Sequence, residues 1–416
     1  MLLICGDFQS LREYNDLNSC SIPKKYQSMG SFSKYVTGES IAPVLTIFIG
    51  GNHEASNVLH SLYYGGYVAP NIYYLGFGGV IQVNGLRIAG ISGIYNKYSY
   101  NFGHDEEFPY DESSCRSIYH TRSLEIHRLS QLTEDIDIFL SHDWPQGIWE
   151  HGDKNQLLRY KPFLRDEIEK NEFGNPPLMQ LLNTLKPKYW FAAHMHTKFP
   201  ALVVHNDNNN GETYCASSSS SSSISSSSIC SNSNGKYTRF LALDKVIPGR
   251  DFLQFLRIPH NKNVNVNKSN NVCLDVEWMC ILKDTHELLK CTPRVPRRVW
   301  AVLPSLASVE PLASSKLEYM RGQIEKVYPN SIIPNIPPRS ITNSSDNNNG
   351  SSPFPIFGDE QTDKFLTCLE EQHIWTRPVE YANIMPRNGV FTPTTMMATA
   401  LSEASKDDNE IDIDDF

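Results

Sequence analysis

Residues 48–56 read FIGGNHEAS. The β-branched, apolar run over 44–49 stops at Gly50 and Gly51, and Asn52, His53 and Glu54 follow at once. Such a run predicts a buried strand. The two glycines permit a tight turn or a close backbone approach to a ligand. Residues just past the C-terminal ends of strands are where open α/β folds place their chemistry. Taken alone, the stretch fits a solvent turn with a polar cap equally well.

Three other stretches repeat the design. ICGD (4–7) ends an apolar run at Asp7, FLSHDWP (139–145) supplies His142 and Asp143, and FAAHMH (191–196) supplies His194 and His196. If these strands lie side by side, Asp7, Asn52, His142, His194 and His196 converge on one face. Oxygen and imidazole donors without thiolate suit Zn, Fe or Mn. A shared carboxylate would allow two ions that clamp a phosphodiester and activate water. Each element has a plainer reading on its own: a strand-end histidine is commonly hydrogen-bonded structure, and Asp7 could cap a helix at Phe8. The HxH pair is stronger, because the period of two along a strand aims both rings to one side. Four matching strand ends are hard to obtain from core packing.

The chain has 416 residues and a formal net charge of -9, which argues against a non-specific nucleic-acid coat. Its nine cysteines form no close CxxC pair and are too sparse for a disulfide scaffold, which suits a reducing compartment. The opening MLLICGD lacks the basic start and apolar length of a signal peptide, and no apolar run is long enough to span a membrane.

Strands are expected at 2–5, 44–49, 71–74, 80–83, 87–92, 137–140, 189–193 and 201–204, with helices at 123–131 and 177–185. The Asn/Ser-rich segment 206–234 has little to bury and reads as a disordered insertion within a hairpin, because KYTRFLALDK and DFLQFLRIPH after it resume as two strands. Residues 1–260 therefore form one unit and 261–375 a C-terminal region. In that region LDVEWMCILKDTHELLK reads as a strand entering a helix, SITNSSDNNNGSSP is a polar loop and 365–375 a short helix. Residues 376–416 end in an acidic tail that reads as disordered.

The phrases CGDFQ, IPKKY, GGNHEAS, YYGGYVAPNIYYLG, RIAGISGIY, SIYHTR, DIFLSHDWP, YWFAAHMH and FLALDK together resemble the RNA lariat debranching enzyme family of the calcineurin-like metallophosphoesterases. The resemblance covers residues 1–260 and continues weakly through VEWMCIL. It implies an α/β fold of two packed β-sheets flanked by helices. It also implies metal-dependent hydrolysis of the 2'-5' phosphodiester at the branch point of excised introns, hence a nuclear location, lariat intron RNA as partner and splicing-associated proteins as candidate partners.

By the same resemblance Asp7 bridges two divalent ions (Fe, Zn or Mn), Asn52, His142 and His194 hold the second, and His196 holds the first. His53 is the acid near the leaving oxygen. Glu54 orients that imidazole or caps a helix, with the cap favoured. Asp143 orients a ligand or makes the turn before Pro145. His151, His205 and His260 read as structural. The stretch 98–122 is similar to the family's insertion that cradles branched RNA, where aromatics stack on bases and Arg116 or Arg122 meets phosphates. Lys24, Lys25 and Tyr26 approach from another edge. The acidic 105–107 is unfavourable beside RNA.

The family pattern has an earlier strand ending in Cys-x-His-Gly, whose Cys and His help hold the first metal. The expectation is that Met1 is an internal methionine of a longer product. Two alternatives stand beside debranching: a non-catalytic branched-RNA-binding or truncated form, and a broader calcineurin-like phosphodiesterase. RVPRR (294–298) is the nearest thing to a basic targeting cluster.

Overall fold

The computed structural model describes residues 1–104, 106, 109–205, 236–259, 271–289, 311–335 and 358–371. The expected disordered insertion, the acidic tail, His260, RVPRR and the polar loop at 340–353 lie outside them.

Two sheets carry the fold. The smaller holds β1 (Leu2–Cys5), β2 (Thr46–Ile49), β3 (Gly66–Ala69) and β4 (Ile72–Tyr74), in the order β1-β2-β4-β3. The larger holds β5 (Gly78–Val83), β6 (Leu86–Ile91), β7 (Ile138–Ser141), β8 (Tyr189–Ala192), β9 (Phe199–His205), β10 (Lys236–Ala242) and β11 (Cys273–Leu274), in the order β11-β5-β6-β7-β8-β10-β9. Their central strands are predominantly apolar, as two-sided burial demands, with Arg87 the charged exception in β6. Every residue of β2, β6 and β7 is buried. The fold is the expected α/β arrangement of two sheets with flanking helices.

Parallel register places the site. β1 pairs with β2 from Leu2↔Thr46 to Cys5↔Ile49, so the segments Gly6–Asp7 and Gly50–Gly51 leave the sheet side by side. β7 pairs with β6 at Ser141↔Ile91 and with β8 at Leu140↔Phe191. The loops carrying Ser92, His142 and His194 therefore emerge at one level of the second sheet. Two hydrogen bonds tie the sheets together at these ends: Gly93 N–H donates to the Gly50 carbonyl at 2.9 Å, and Gly50 N–H to Ser92 Oγ at 2.9 Å.

β9 and β10 are antiparallel neighbours, so 206–235 does join the two strands of one hairpin. The second strand expected after it does not form. Residues 251–257 make no strand and leave Phe255 86% exposed, because no described strand lies beside them. Elements that escaped the sequence reading include β3 and the helix Ser314–Val327. β3 begins at Gly66, whose φ of 156 follows Gly65 at 90, and the glycine pair reads as a turn. The helix Ser314–Val327 buries only Met320, Gln323 and Ile324, too thin a stripe to give a helical period.

The C-terminal region packs on the same core. β11 extends the larger sheet beside β5, and the helix Val276–Asp284 follows it, capped by Asp275. The short helix expected at 365–375 overlaps Gly358–Leu369, which starts seven residues earlier. Arg87 of β6 locks the joint: its guanidinium donates twice to Asp275 at 2.8 Å and once to Glu277 at 2.7 Å, all three side chains being buried. Among the described residues no helix is long and apolar enough to cross a membrane.

Candidate active site

The strand ends meet as a cluster of acceptors. His142 Nδ1 lies 2.6 Å from the Cys5 carbonyl, an acceptor only, so this nitrogen carries the proton. With that proton alone on the ring, Nε2 bears a lone pair. It faces Asn52 Oδ1 at 3.1 Å and Asp7 Oδ1 at 3.5 Å. The Asn52 orientation is fixed independently. Its Nδ2 lies 3.3 Å from His53 Nε2, while His53 Nδ1 donates to the Ser21 carbonyl at 2.9 Å. Three acceptors thus converge with no proton among them. A divalent cation is the partner that such a donor set fits. Among the described residues no three His, Cys, Asp or Glu side chains are grouped to hold an ion by themselves, and the converging set includes the Asn52 amide.

The backbone is bent to build this. Asp7, His194 and His196 all have left-handed φ, at 55, 62 and 47, a conformation that non-glycine residues seldom hold outside over-determined sites. Glycine makes the approach possible. A Cβ on Gly51 would lie 2.2 Å from Asp7 Oδ1, and one on Gly6 would lie 2.2 Å from His142 Nδ1. The expectation for HxH is corrected here. β8 ends at Ala192, so His194 and His196 are placed by a left-handed turn beyond the strand, and strand period does not aim them.

Charge agrees with the geometry. Burial by itself would raise the Asp7 carboxyl, but the imidazoles of His142 and His53, the His53 N–H and His194 outweigh it and hold the group below its ordinary range. Burial, then His142, pushes His194 well below the usual imidazole value, which keeps it neutral, the form that ligates. The rings of His142 and His194 stand 4.8 Å apart. His196 sits two residues on, half-buried, and its charge bears on His194.

Glu54 does something the sequence did not reveal. It heads no helix. Its buried carboxylate accepts from Phe8 N–H and Gly51 N–H at 3.0 Å and from Gln9 N–H at 2.8 Å, knitting the Asp7 loop to the glycine turn. Burial and the Asp7 charge push its carboxyl up to about 8, against the three amides. It does not touch the His53 ring. The Asp7 loop is irregular, so Asp7 is no helix cap. Asp143 accepts from Tyr95 N–H at 3.2 Å and Trp144 N–H at 2.9 Å, a turn role, while the Cys5 carbonyl orients His142.

The residues expected to face RNA divide. Lys24, Lys25 and Tyr26 form an exposed turn beginning three residues after Ser21, with Lys25 Nζ 4.5 Å from the centre of the Tyr26 ring. Arg116 is exposed on the helix Glu112–Ser117. The phosphate role expected for Arg122 is corrected: its side chain is 2% exposed and its guanidinium donates to Glu106 at 2.7 Å and to the carbonyls of Ser99 and Ser117. It holds the loop from within. Of the structural histidines, His205 Nε2 meets Thr238 Oγ1 at 2.8 Å beneath the hairpin.

Comparison with known proteins agrees with this geometry. Residues 1–198 match the calcineurin-like phosphoesterase family and residues 235–373 match "Lariat debranching enzyme, C-terminal domain". The chain is 52% identical over 300 residues to the lariat debranching enzyme of Drosophila melanogaster, a match covering 70% of this chain and 56% of that protein. For the Homo sapiens lariat debranching enzyme the values are 48% over 295 residues, 71% and 50%. For the Arabidopsis thaliana enzyme they are 45% over 294 residues, 71% and 63%. The chain thus spans about half to two-thirds of the length of the curated relatives it matches. A phosphoesterase domain of this family implies dependence on divalent metal.

Proposed function

This chain belongs to the lariat debranching enzyme family, joining a calcineurin-like phosphoesterase domain to that family's C-terminal domain, and from that premise we propose that it hydrolyses the 2'-5' phosphodiester of branched RNA. The observation that carries the reading is the convergence of Asp7, Asn52 and His142 acceptors, with His194 beside them and His53 on the same turn. Asp7, Asn52, His142, His194 and His196 would hold divalent metal. The donor set admits Fe, Zn or Mn, and bound metal would polarise the phosphodiester and supply activated water.

The protein's own groups do the rest. With Nδ1–H engaged by the Ser21 carbonyl, Nε2 stands on the Asn52 side of the site, and in the doubly protonated imidazolium form it hands its proton to the departing ribose 2'-oxygen. Bond breaking leaves a 2'-hydroxyl on the branch residue and a 5'-phosphate on the released arm. The exposed Lys24–Tyr26 turn and Arg116 flank this side and offer charge and a ring face to the arms of the RNA. They belong to neighbouring segments: Cys115 Sγ reaches the Asn18 carbonyl at 3.6 Å, and Ser21 Oγ lies 3.4 Å from the Tyr119 hydroxyl. A nuclear location follows from the proposed intron substrate.

Two variants test the roles. His53→Ala keeps bound metal near the wild-type level and slows single-turnover cleavage of branched RNA by roughly 10²–10⁴-fold, the usual worth of a placed proton donor. His194→Ala loses metal together with rate. Equal metal loss in both would remove His53 from the proton-donor role.

A further inference from the structure

The His53 ring is held by a backbone carbonyl that has no regular structure to fix it. Ser21 lies in an irregular stretch after the short 3-10 turn Tyr14–Ser19. That stretch needs an anchor if its carbonyl is to stay 2.9 Å from Nδ1. The structure supplies one. Asn57, at the start of the helix Ser56–Ser61, donates from Nδ2 to Asp16 Oδ1 at 2.7 Å. Asp16 is fully buried and is itself fixed by Arg12, whose backbone N–H and Nε donate to Oδ2 at 2.8 and 3.0 Å and whose Nη2 donates to Oδ1 at 2.8 Å. Ser19 Oγ lies 2.7 Å from both the Asp16 carbonyl and Asn57 Oδ1, one proton serving the two.

The same two stretches of chain are therefore joined at both ends. One runs from His53 to Asn57 and the other from Asp16 to Ser21, each only a few residues long. The Asn57–Asp16 bond closes one end, and the His53–Ser21 bond closes the other. A short ring of covalent and hydrogen bonds of this kind transmits the loss of one tie to the other, because each segment has too few dihedrals to compensate. We infer that Asn57 and Asp16 are positioning residues that set the His53 ring, presenting Nε2 on the Asn52 side of the site. This rests on His53 acting as proposed above, and it adds the residues that aim it. Neither one touches the acceptor cluster: the effect passes through the Ser21 carbonyl.

The clamp is read in the full chain labelled with ¹⁵N-histidine, His53 being assigned by the signal lost in His53→Gln. In the wild type the neutral ring carries its proton on Nδ1. In Asn57→Ala, which leaves the Arg12–Asp16 pair intact, the ring shifts toward the Nε2–H form that free histidine prefers. Asp16→Asn, which keeps the side chain's size, gives the same shift. The second readout is a ratio of rates. A ribose oxygen needs a proton to leave and a nitrophenolate does not, so Asn57→Ala lowers the rate on branched RNA relative to bis(p-nitrophenyl) phosphate by about tenfold or more. An unchanged tautomer in both variants overturns the clamp, and so does an equal fall on both substrates. If the wild type leaves branched RNA uncut, the debranching reading fails and the tautomer alone decides the clamp.

Discussion

Gly51 shows how little room the site has. A methyl at this position would meet Asp7 Oδ1 at 2.2 Å and the Asp7 backbone nitrogen at 2.6 Å, and that nitrogen cannot swing away as a flexible side-chain end would. Gly51→Ala should therefore displace the Asp7 carboxylate while costing only about 1–3 kcal/mol in stability, the usual range for overpacking. Metal analysis after dialysis should find less bound ion than in the wild type. Normal metal content with normal cleavage would mean that Asp7 is not where the cluster needs it. The residue types at the site were legible in the sequence, because an amide, imidazoles and a carboxylate recur after apolar runs. Glu54 was not: its partners, Phe8 and Gln9, lie more than forty residues away and are bonded through their backbone amides, which leave no side-chain signature. Arg122 misled for a related reason. An arginine in a loop rich in charge looks available to phosphate until Glu106 is seen beneath it.

At the scale of elements, the strands were readable where apolar residues clustered, as in β2 and β7. The reading failed where tertiary context sets the outcome. The apolar 251–257 was expected to pair and does not. The His194–His196 turn was expected to be strand and has left-handed φ at both histidines. The joint between β6 and the C-terminal helices was also invisible, since Arg87 and its partners Asp275 and Glu277 are nearly two hundred residues apart. That joint makes a sharp prediction. Arg87→Met strands two buried carboxylates, and losing one partner of such a network costs about 3–5 kcal/mol. Urea unfolding of the full chain should show that loss, with residues 271–289 gaining protease sensitivity first. A change within about 0.5 kcal/mol, the scale of an ordinary surface substitution, would mean that the joint is not held by charge.

Over the whole molecule, acid should be a specific weakness. Burial pushes His60 down to about 4, burial and then Arg122 push His120 down to about 3, and burial, then Arg122, drives His104 well below the ordinary value. Each is neutral when folded and free to protonate when unfolded, so the unfolded chain binds more protons below about pH 6.5. Their contribution to stability is present above that pH and is lost progressively as pH falls from about 6.5 toward 4 for His60 and toward 3 for His120. Between pH 7.5 and 5, His60 alone accounts for roughly 2 kcal/mol. Removing it in His60→Gln should flatten the fall in unfolding free energy by that amount, and an unchanged slope would show that the ring is not held neutral. The central claim concerns the bond that the assembled site breaks. It is tested most directly by single-turnover digestion of a synthetic branched RNA alongside its linear 3'-5' counterpart, with divalent metal present. The account predicts that the 2'-5' bond opens to a 2'-hydroxyl and a 5'-phosphate while every 3'-5' bond in both substrates stays intact; cleavage of the linear RNA at an equal rate, or a branch left whole, would contradict it.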